Sequence, residues 1–167
     1  MINIRRIEME DALGFVTLNQ ELAKETKYMM RELEECMDHI LPARELIASF
    51  HEQDNFLYIA ETGGKLIGFA MAVKENFNRV KHRAYLVIGI QKAFQGQGIG
   101  SRLFEEIDQW AVNQGLKRLE LTTMTHNVAG KALYEKYGFV VEGIKKKSMY
   151  IDGEYVDEYY MGKILED

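Results

Sequence analysis

In the first third of the chain, the pattern of hydrophobic and polar residues predicts one strand followed by two helices. Residues 2–7 alternate with period two, which is typical of a short edge strand. Apolar residues then recur at helical spacing from Asp11, a candidate N-cap, to about Glu25, and again over residues 43–53, directly after the chain's single proline. Residues 26–41 favour neither helix nor loop. We expect one strand and two helices ahead of the main sheet.

The centre of the chain has the pattern of a hairpin, a third strand and a long helix. Residues 56–62 and 65–75 are rich in β-forming residues and are joined by Gly63-Gly64, which indicates an antiparallel hairpin. Residues 84–90 form a third such run and lead directly into a glycine-rich stretch. A helix is predicted after it, to about Gly115, because one apolar stripe continues over more than three turns: Ile99, Leu103, Ile107, Trp110 and Ala111.

The last third predicts a strand, a short helix and a long hairpin. Residues 117–124 form the strand, residues 127–139 the helix with Gly138 at its end, and the hairpin turns at Asp152-Gly153. The element order predicts an α/β (α+β) fold, a mixed and mostly antiparallel sheet of six to seven strands flanked by about four helices. Without a linker or repeat, residues 1–167 are expected to form a single domain.

Composition restricts the class of protein. The formal net charge is −5, so the overall field does not attract nucleic acid or an anionic membrane, and we expect neither as a partner. Cys36 is the single cysteine, residues 1–12 contain no apolar stretch typical of a signal peptide, and no Cys/His spacing resembles a metal site. A cytoplasmic protein without a metal is the simplest interpretation.

The stretch KAFQGQGIGSRLF, residues 92–104, places glycines at alternate positions before a helix. The first N–H groups of a helix have no intrahelical partner and lie at the positive end of its dipole, so this turn is a candidate phosphate site. A P-loop would need a lysine after the last glycine, where this chain has Ser101-Arg102. A dinucleotide fingerprint would need G-x-G-x-x-G, where the chain has G-x-G-x-G.

Two segments resemble one known family. Residues 95–100, QGQGIG, match the Q/R-x-x-G-x-G/A signature of the GNAT superfamily of acetyl-CoA-dependent N-acetyltransferases. Residues 127–139, NVAGKALYEKYGF, are similar to that family's N-x-x-A-x-x-L-Y-x-K-x-G-F segment. The predicted order of elements is also similar to the GNAT fold along nearly the whole chain.

The resemblance implies acetyl-CoA as cosubstrate and a set of residues that bind it. The backbone N–H groups of the glycine turn would surround the pyrophosphate, and the end of the preceding strand would pair its backbone with the pantetheine arm between two splayed strands, 84–90 and 117–124. Asn127 would contact the pantetheine as well as cap its helix. The implied residues are Ile88, Gly89, Ile90, Gln95, Gly96, Gln97, Gly98, Ile99, Gly100, Ser101, Asn127 and Tyr134.

The resemblance also implies that Tyr134 points at the thioester sulfur and protonates the departing thiolate. A backbone N–H, that of Ile90, would stabilise the oxyanion. For the base that accepts the amine proton, Glu120 is a candidate, and Glu75, His82 and Tyr85, near the other end of the sheet, are others, none of them with a unique claim. An equal alternative is that Glu120 is a strand carboxylate paired with Arg118 or another neighbour.

The acceptor is expected to be a primary amine, either a small amine or a peptide N-terminus. Acidic residues in segments 28–41 and 145–161 would favour a cationic amine, and a merely solvated acidic surface is the alternative. Of Lys145–Lys147, at most part could reach the 3′-phosphate of coenzyme A. A non-catalytic acyl-CoA sensor with the same fold is the alternative function. The aromatic segment VDEYYM, residues 156–161, suits either a homodimer interface or a cover for the core.

Overall fold

The structure is a computed structural model that describes residues 1–166. Three single-turn 3-10 helices, at Met9–Asp11, Leu33–Glu35 and Lys92–Phe94, accompany the regular elements. These elements are β1 (Asn3–Arg6), α1 (Ala12–Glu25), α2 (Ile40–Gln53), β2 (Phe56–Thr62), β3 (Lys65–Lys74), β4 (Arg83–Ile90), α3 (Ile99–Asn113), β5 (Arg118–Met124), α4 (Val128–Lys136), β6 (Val140–Ile151) and β7 (Glu154–Ile164).

The strands form a seven-stranded sheet in the order β1-β2-β3-β4-β5-β7-β6. The pairs β1/β2, β2/β3, β5/β7 and β6/β7 are antiparallel, whereas β4 and β5 run parallel. Together with the four α-helices of the described chain, this confirms the predicted fold class. The chain's contacts divide it into two compact units, which are described separately, and the single-domain assignment of residues 1–167 stays a prediction.

Unit 1 comprises Met1–Ala72 and Val87–Ile107. Helices α1 and α2 bury one face each against β2 and β3, and the rings of Phe15 and Phe69 meet edge to face at 5.4 Å between centroids. Burial of this kind contributes roughly 25 cal/mol for each Å² of apolar surface. The fully buried side chains of this core include Ile7, Phe15, Leu18, Leu22, Ile47, Leu57, Ile59 and Phe69.

Two predictions about helix starts need correction. Helix α2 begins at Ile40, so Pro42 lies inside its first turn instead of before the helix. The first turn tolerates proline because its N–H groups have no intrahelical partner. Asp11 precedes α1 but makes no capping bond to it, since its carboxylate accepts hydrogen bonds from the Glu8 N–H and from the Arg5 guanidinium. The unassigned segment before α2 contains one 3-10 turn, Leu33–Glu35.

Unit 2 comprises Val73–Leu86 and the chain from Asp108 onward. Its buried residues alternate along β4 and β5, so one face of these strands is apolar and the other carries polar residues. The buried apolar residues of unit 2 include Ala84, Leu86, Ala111, Leu116, Leu119, Leu121, Tyr134, Phe139 and Met161.

The parallel pairing of β4 with β5 is short. The registered pairs run from Arg83 with Arg118 to Tyr85 with Glu120, although β4 continues to Ile90 and β5 to Met124. Among the described residues, no helix is both long enough and apolar enough to cross a membrane.

Candidate acyl-CoA and acyl-transfer site

The chain entering the glycine turn is anchored to the end of α1. The Gln91 N–H donates to the Ile67 carbonyl at 2.9 Å, and the buried Gln91 side-chain amide donates to the Glu21 carboxylate. One residue later, the Lys92 N–H donates to the Glu25 carboxylate at 2.9 Å. Charge-assisted bonds of this type are stronger than neutral ones. They fix where the glycine turn begins.

Gly96 and Gly98 adopt left-handed backbone conformations, with φ of +75° and +80°. Only glycine takes these angles without strain, which explains both positions. A Cβ built on either residue would have no neighbouring atom within 4 Å, so the space beside the turn is open. Exposed main chain beside open space fits a bulky anion such as a pyrophosphate.

The amides that follow the turn are directed by helix α3. Its first intrahelical hydrogen bond runs from the Arg102 N–H to the Gly98 carbonyl at 3.1 Å. The N–H groups of Ile99, Gly100 and Ser101 therefore lie in the first helical turn, where no intrahelical acceptor exists. A ligand anion is a natural acceptor for them.

Gln95 differs from the rest of the predicted loop. Its N–H already donates to the Lys92 carbonyl at 3.3 Å, and its side chain donates to the Ile90 carbonyl at 3.2 Å. Its backbone N–H thus has a partner within the turn, and its contact with the pyrophosphate stays a prediction. Gln95 also braces the turn against the end of β4.

The end of β4, Ile88 to Ile90, is tightly packed on one side. A Cβ on Gly89 would lie 2.9 Å from Leu22 Cδ1 and 3.1 Å from Phe69 Cε1, distances that real Cβ atoms avoid. The same Cβ would lie 3.5 Å from Met29 Sδ. Met29 is thus close to this strand end, and Glu32, Glu34, Glu35 and Asp38 are exposed in the same segment, residues 26–39.

In unit 2, Asn127 caps helix α4. Its Oδ1 accepts the Gly130 N–H at 3.1 Å, and its Nδ2 lies 3.4 Å from Thr123 Oγ1. A Cβ on Gly130 would approach Asn127 Nδ2 to 2.5 Å. Gly130, which stands where the family segment has alanine, thus makes room for the Asn127 amide. The capping role is confirmed, and the contact with cofactor stays a prediction.

Tyr134 lies in the last turns of α4 with only 9% of its surface exposed. Its ring meets Phe139 at 6.3 Å between centroids. Burial, and after it the nearby Tyr85, raises the pKa of Tyr134 to about 12. The phenol therefore stays protonated at physiological pH, as a proton donor must.

Glu120 is part of a charged ladder on the polar face of unit 2. Arg118 Nε donates to Glu120 at 2.8 Å, and the two terminal nitrogens of Arg118 donate to both oxygens of Glu142 at 2.9 and 2.6 Å. The Glu142 bond, and then the Glu120 bond, raises the pKa of Arg118, while Arg118 lowers the pKa of Glu142. This geometry supports the ion-pair alternative for Glu120, whose role as a base stays a prediction.

The two strands of the last hairpin, β6 and β7, are joined by side-chain bonds that the sequence does not indicate. Asp157 accepts the Lys147 N–H at 2.9 Å and the Lys146 ammonium at 3.1 Å, which lowers the pKa of Asp157. Glu158 accepts the Ser148 hydroxyl. Lys145 lies over the Tyr160 ring, 5.8 Å from its centroid. These bonds accompany a register shift in β6 between Lys145 and Met149, which the sequence does not reveal.

A pair of hydroxyls was not singled out by sequence. Tyr85 Oη lies 2.7 Å from Thr122 Oγ1, on the polar face of β4 and β5. The sequence signal for Tyr85 was its position on the strand alone, shared with several other polar residues.

The sequence is similar to a known protein family and to curated enzymes. Residues 13–139 match the acetyltransferase (GNAT) family. The chain is 32% identical over 110 residues to an L-amino acid N-acetyltransferase of Escherichia coli (strain K12), covering 64% of this chain and 66% of that enzyme, just under two thirds. It is 26% identical over 155 residues to the spermidine N(1)-acetyltransferase of the same strain, covering 92% and 81%.

Two solved structures of acetyltransferases have the same fold as this chain. The acetyltransferase of GNAT family from Streptococcus pneumoniae superposes with a TM-score of 0.95 at 31% identity, covering 99% of this chain and all of that one. A phosphinothricin acetyltransferase from Sinorhizobium meliloti, solved in complex with acetyl-CoA, shares the fold with a TM-score of 0.87 at 17% identity, covering 98% and 88%. The chain therefore belongs to the acetyltransferase (GNAT) family.

Proposed function

We propose that this protein transfers the acetyl group of acetyl-CoA to a primary amine, by direct attack of the amine in a ternary complex. The observation that carries the proposal is Tyr134, a buried phenol that stays protonated and lies on α4 within the family segment. A protein that only senses acyl-CoA would not need such a proton donor.

Residues of unit 1 suit the binding of acetyl-CoA. The N–H groups after Gly96, up to Ser101, would hold the pyrophosphate, and the backbone of Ile88, Gly89 and Ile90 would pair with the pantetheine arm. The open space beside the two left-handed glycines supports this assignment, because a side chain there would keep phosphates away from the amides.

The chemistry divides between main chain and side chain. Acetyl-CoA supplies the acetyl group when bound. The Ile90 N–H stabilises the oxyanion that develops on the thioester carbonyl. The Tyr134 hydroxyl gives its proton to the departing thiolate, which would otherwise leave as a charged group in a poorly solvated place. Asn127 holds the start of α4 and, through it, the position of Tyr134.

The acceptor is proposed to be a cationic primary amine. The exposed carboxylates of segment 26–39 favour an approaching cation, and the relatives include enzymes named for L-amino acids and for spermidine. The last hairpin contributes less than its composition indicates, because Asp157 and Glu158 are bound to β6. Small amines and peptide N-termini both fit this class.

The test measures thiol release from acetyl-CoA with L-amino acids, spermidine and alanine-led peptides. Tyr134→Phe is expected to lower kcat by about 100-fold or more and to leave the Kd for acetyl-CoA unchanged. Tyr160→Phe is the matched control, since Tyr160 is 48% exposed on β7. Unchanged turnover in Tyr134→Phe would remove this residue from the mechanism. Tight acetyl-CoA binding without turnover on any acceptor would favour the sensor.

A further inference from the structure

The peptide unit between Ile90 and Gln91 is held at both of its polar atoms. The Ile90 carbonyl accepts the Gln95 side-chain amide at 3.2 Å, and the Gln91 N–H donates to the Ile67 carbonyl of β3 at 2.9 Å. Successive N–H groups of a strand point to opposite edges, so the Ile90 N–H is directed away from β3. This N–H is the donor proposed above for the oxyanion, and its position depends on how the residues beside it are fixed.

Two carboxylates of α1 hold the residues that follow Ile90. The Gln91 side chain is only 3% exposed and donates its amide to the Glu21 carboxylate. The Lys92 N–H donates to Glu25 Oε2 at 2.9 Å. Glu21 and Glu25 are one helical turn apart and lie on the same face of α1. They form a clasp on two consecutive residues, 91 and 92, between the end of β4 and the glycine turn.

The stability of α1 does not explain these two carboxylates. Glu25 lies in the last turn of the helix, where the dipole disfavours a negative charge. Like charges four residues apart also repel each other. The ion pair of Glu21 with Lys65 spans 3.4 Å, and the Lys65 side chain is 55% exposed, so this pair contributes little. What the two carboxylates share is their contact with residues 91 and 92.

Helix α1 is a firm base for such a clasp. Phe15, Leu18 and Leu22 are each 1% exposed and belong to the core of unit 1. Leu22, one residue after Glu21, also lies against the end of β4, because a Cβ on Gly89 would come within 2.9 Å of Leu22 Cδ1. Packing and hydrogen bonds thus fix the same strand end to the same helix.

We propose that Glu21 and Glu25 are positioning residues for acetyl transfer, which hold residues 90–92 so that the Ile90 N–H and the glycine turn keep a fixed separation. The inference rests on the proposed function. The oxyanion donor and the pyrophosphate amides would bind two ends of one cofactor molecule, so their separation has to match it. A misplacement of about 1 Å can lower a rate about 100-fold. Both carboxylates act through residues 91 and 92 and take no part in the chemistry.

The first test separates kcat from KM at Glu21. Glu21→Ala leaves the buried Gln91 amide without its acceptor and is expected to lower kcat about 10-fold or more, with the KM for acetyl-CoA changed less than about threefold. Glu21→Gln should recover most of kcat, because its amide oxygen can accept the same hydrogen bond. Glu45→Ala removes an exposed carboxylate from α2 and is the matched control, with both constants unchanged.

Lys65→Met distinguishes the clasp from the ion pair that Glu21 makes with Lys65. This variant keeps the bond from Gln91 to Glu21 and should retain the kcat of the wild type. Urea unfolding identifies the temperature range in which all variants are folded, and kcat is compared within it. Full kcat in Glu21→Ala, a loss that Glu21→Gln does not recover, or an equal loss in Lys65→Met would overturn the proposal.

Two further measurements at Glu25 do not depend on turnover. Glu25→Ala should raise the Kd for acetyl-CoA about fivefold or more, because the entry to the glycine turn is no longer held in place before binding. In the protein without cofactor, amide hydrogen exchange in peptides covering residues 88–95 should be faster in Glu25→Ala than in Glu45→Ala. Unchanged Kd and exchange would overturn the role of Glu25. Absence of turnover in the wild type on every acceptor would overturn the proposed function instead, and the exchange would still decide whether the clasp holds these residues.

Discussion

The glycine turn and the end of helix α4 are built in opposite ways. The turn is exposed and offers main-chain amides, with two residues in left-handed conformation. The end of α4 offers one buried side chain, Tyr134, whose proton affinity is set by its surroundings. A main-chain site restricts which residues can occupy it and so leaves a mark in sequence. The reactivity of a side chain depends on neighbours that are distant in sequence.

The largest expected effect is on acetyl-CoA binding, and it tests the main-chain site, the glycine turn. Gly98→Val places a β-branched residue at φ +80° and a side chain in the open space beside the turn. Loss of one or two hydrogen bonds to a charged phosphate, at about 1.5–3 kcal/mol each, should weaken acetyl-CoA binding by about 100-fold or more. Isothermal titration calorimetry measures the Kd.

Gly63→Val is the matched control for that variant. Gly63 also has positive φ, +56°, and its Cβ would also meet nothing within 4 Å, but it lies in the β2–β3 turn. Both variants should lose about 1–2 kcal/mol of stability, and only Gly98→Val should lose affinity. Equal Kd values for the two would refute the pyrophosphate assignment.

A smaller effect is on stability at alkaline pH, and it tests the burial of the Tyr134 side chain. The folded-state pKa of Tyr134, about 12, lies above its ordinary value of 10, so the folded state keeps a proton that the unfolded chain releases between these values. The resulting stability is complete below pH 10 and is lost as pH rises towards 12, about 2 to 3 kcal/mol in all. Urea unfolding at a series of alkaline pH values should show this loss in the wild type and not in Tyr134→Phe. Parallel curves for the two proteins would contradict the burial of the phenol.

The smallest expected effect concerns Glu120, and it tests whether this carboxylate is an ion-pair partner or a catalytic base. As a partner of Arg118, Glu120→Gln should cost about 0.5–1 kcal/mol and leave kcat within about twofold. A base at this position would instead lose about 100-fold in kcat, with a changed acid limb of the pH profile. Glu142→Gln serves as control, because it breaks the other half of the same ladder.

Much of the fold was predictable because local rules and the final structure agree. The hairpin at Asp152-Gly153 has positive φ at both residues, as the dipeptide predicts, and the apolar stripe of α3 is buried except for the half-buried Trp110. The start of α2 was misplaced because proline is tolerated in a first helical turn as well as before it. Segment 26–41 could not be assigned: its last two residues begin α2, and packing contacts of the rest, such as Met29 near Gly89, are with distant elements.

The features of the candidate site also differ in whether they could be predicted from the sequence. The glycine turn and the family segment around Tyr134 were predictable from spacing. The pairing of Glu120 with Arg118 was one of two alternatives that the sequence left open. The bracing role of Gln95 and the hydroxyl pair of Tyr85 with Thr122 were not predictable, because they depend on a turn closing back on a preceding strand and on the pairing of β4 with β5. Periodicity gives the face of a strand but not the identity of the neighbour across it.

One mid-strand glycine shows how such neighbours constrain the chain. A Cβ at Gly162 would lie 2.7 Å from one terminal nitrogen of Arg118 and 2.8 Å from the Glu142 carboxylate. The ion pair therefore lies flat on bare β7 backbone, and any other residue at position 162 would have to displace it. Because these contacts are with the ends of two flexible side chains, Gly162→Ala should displace the ion pair at a cost of about 1 kcal/mol and leave turnover unchanged, which separates assembly of the sheet from catalysis.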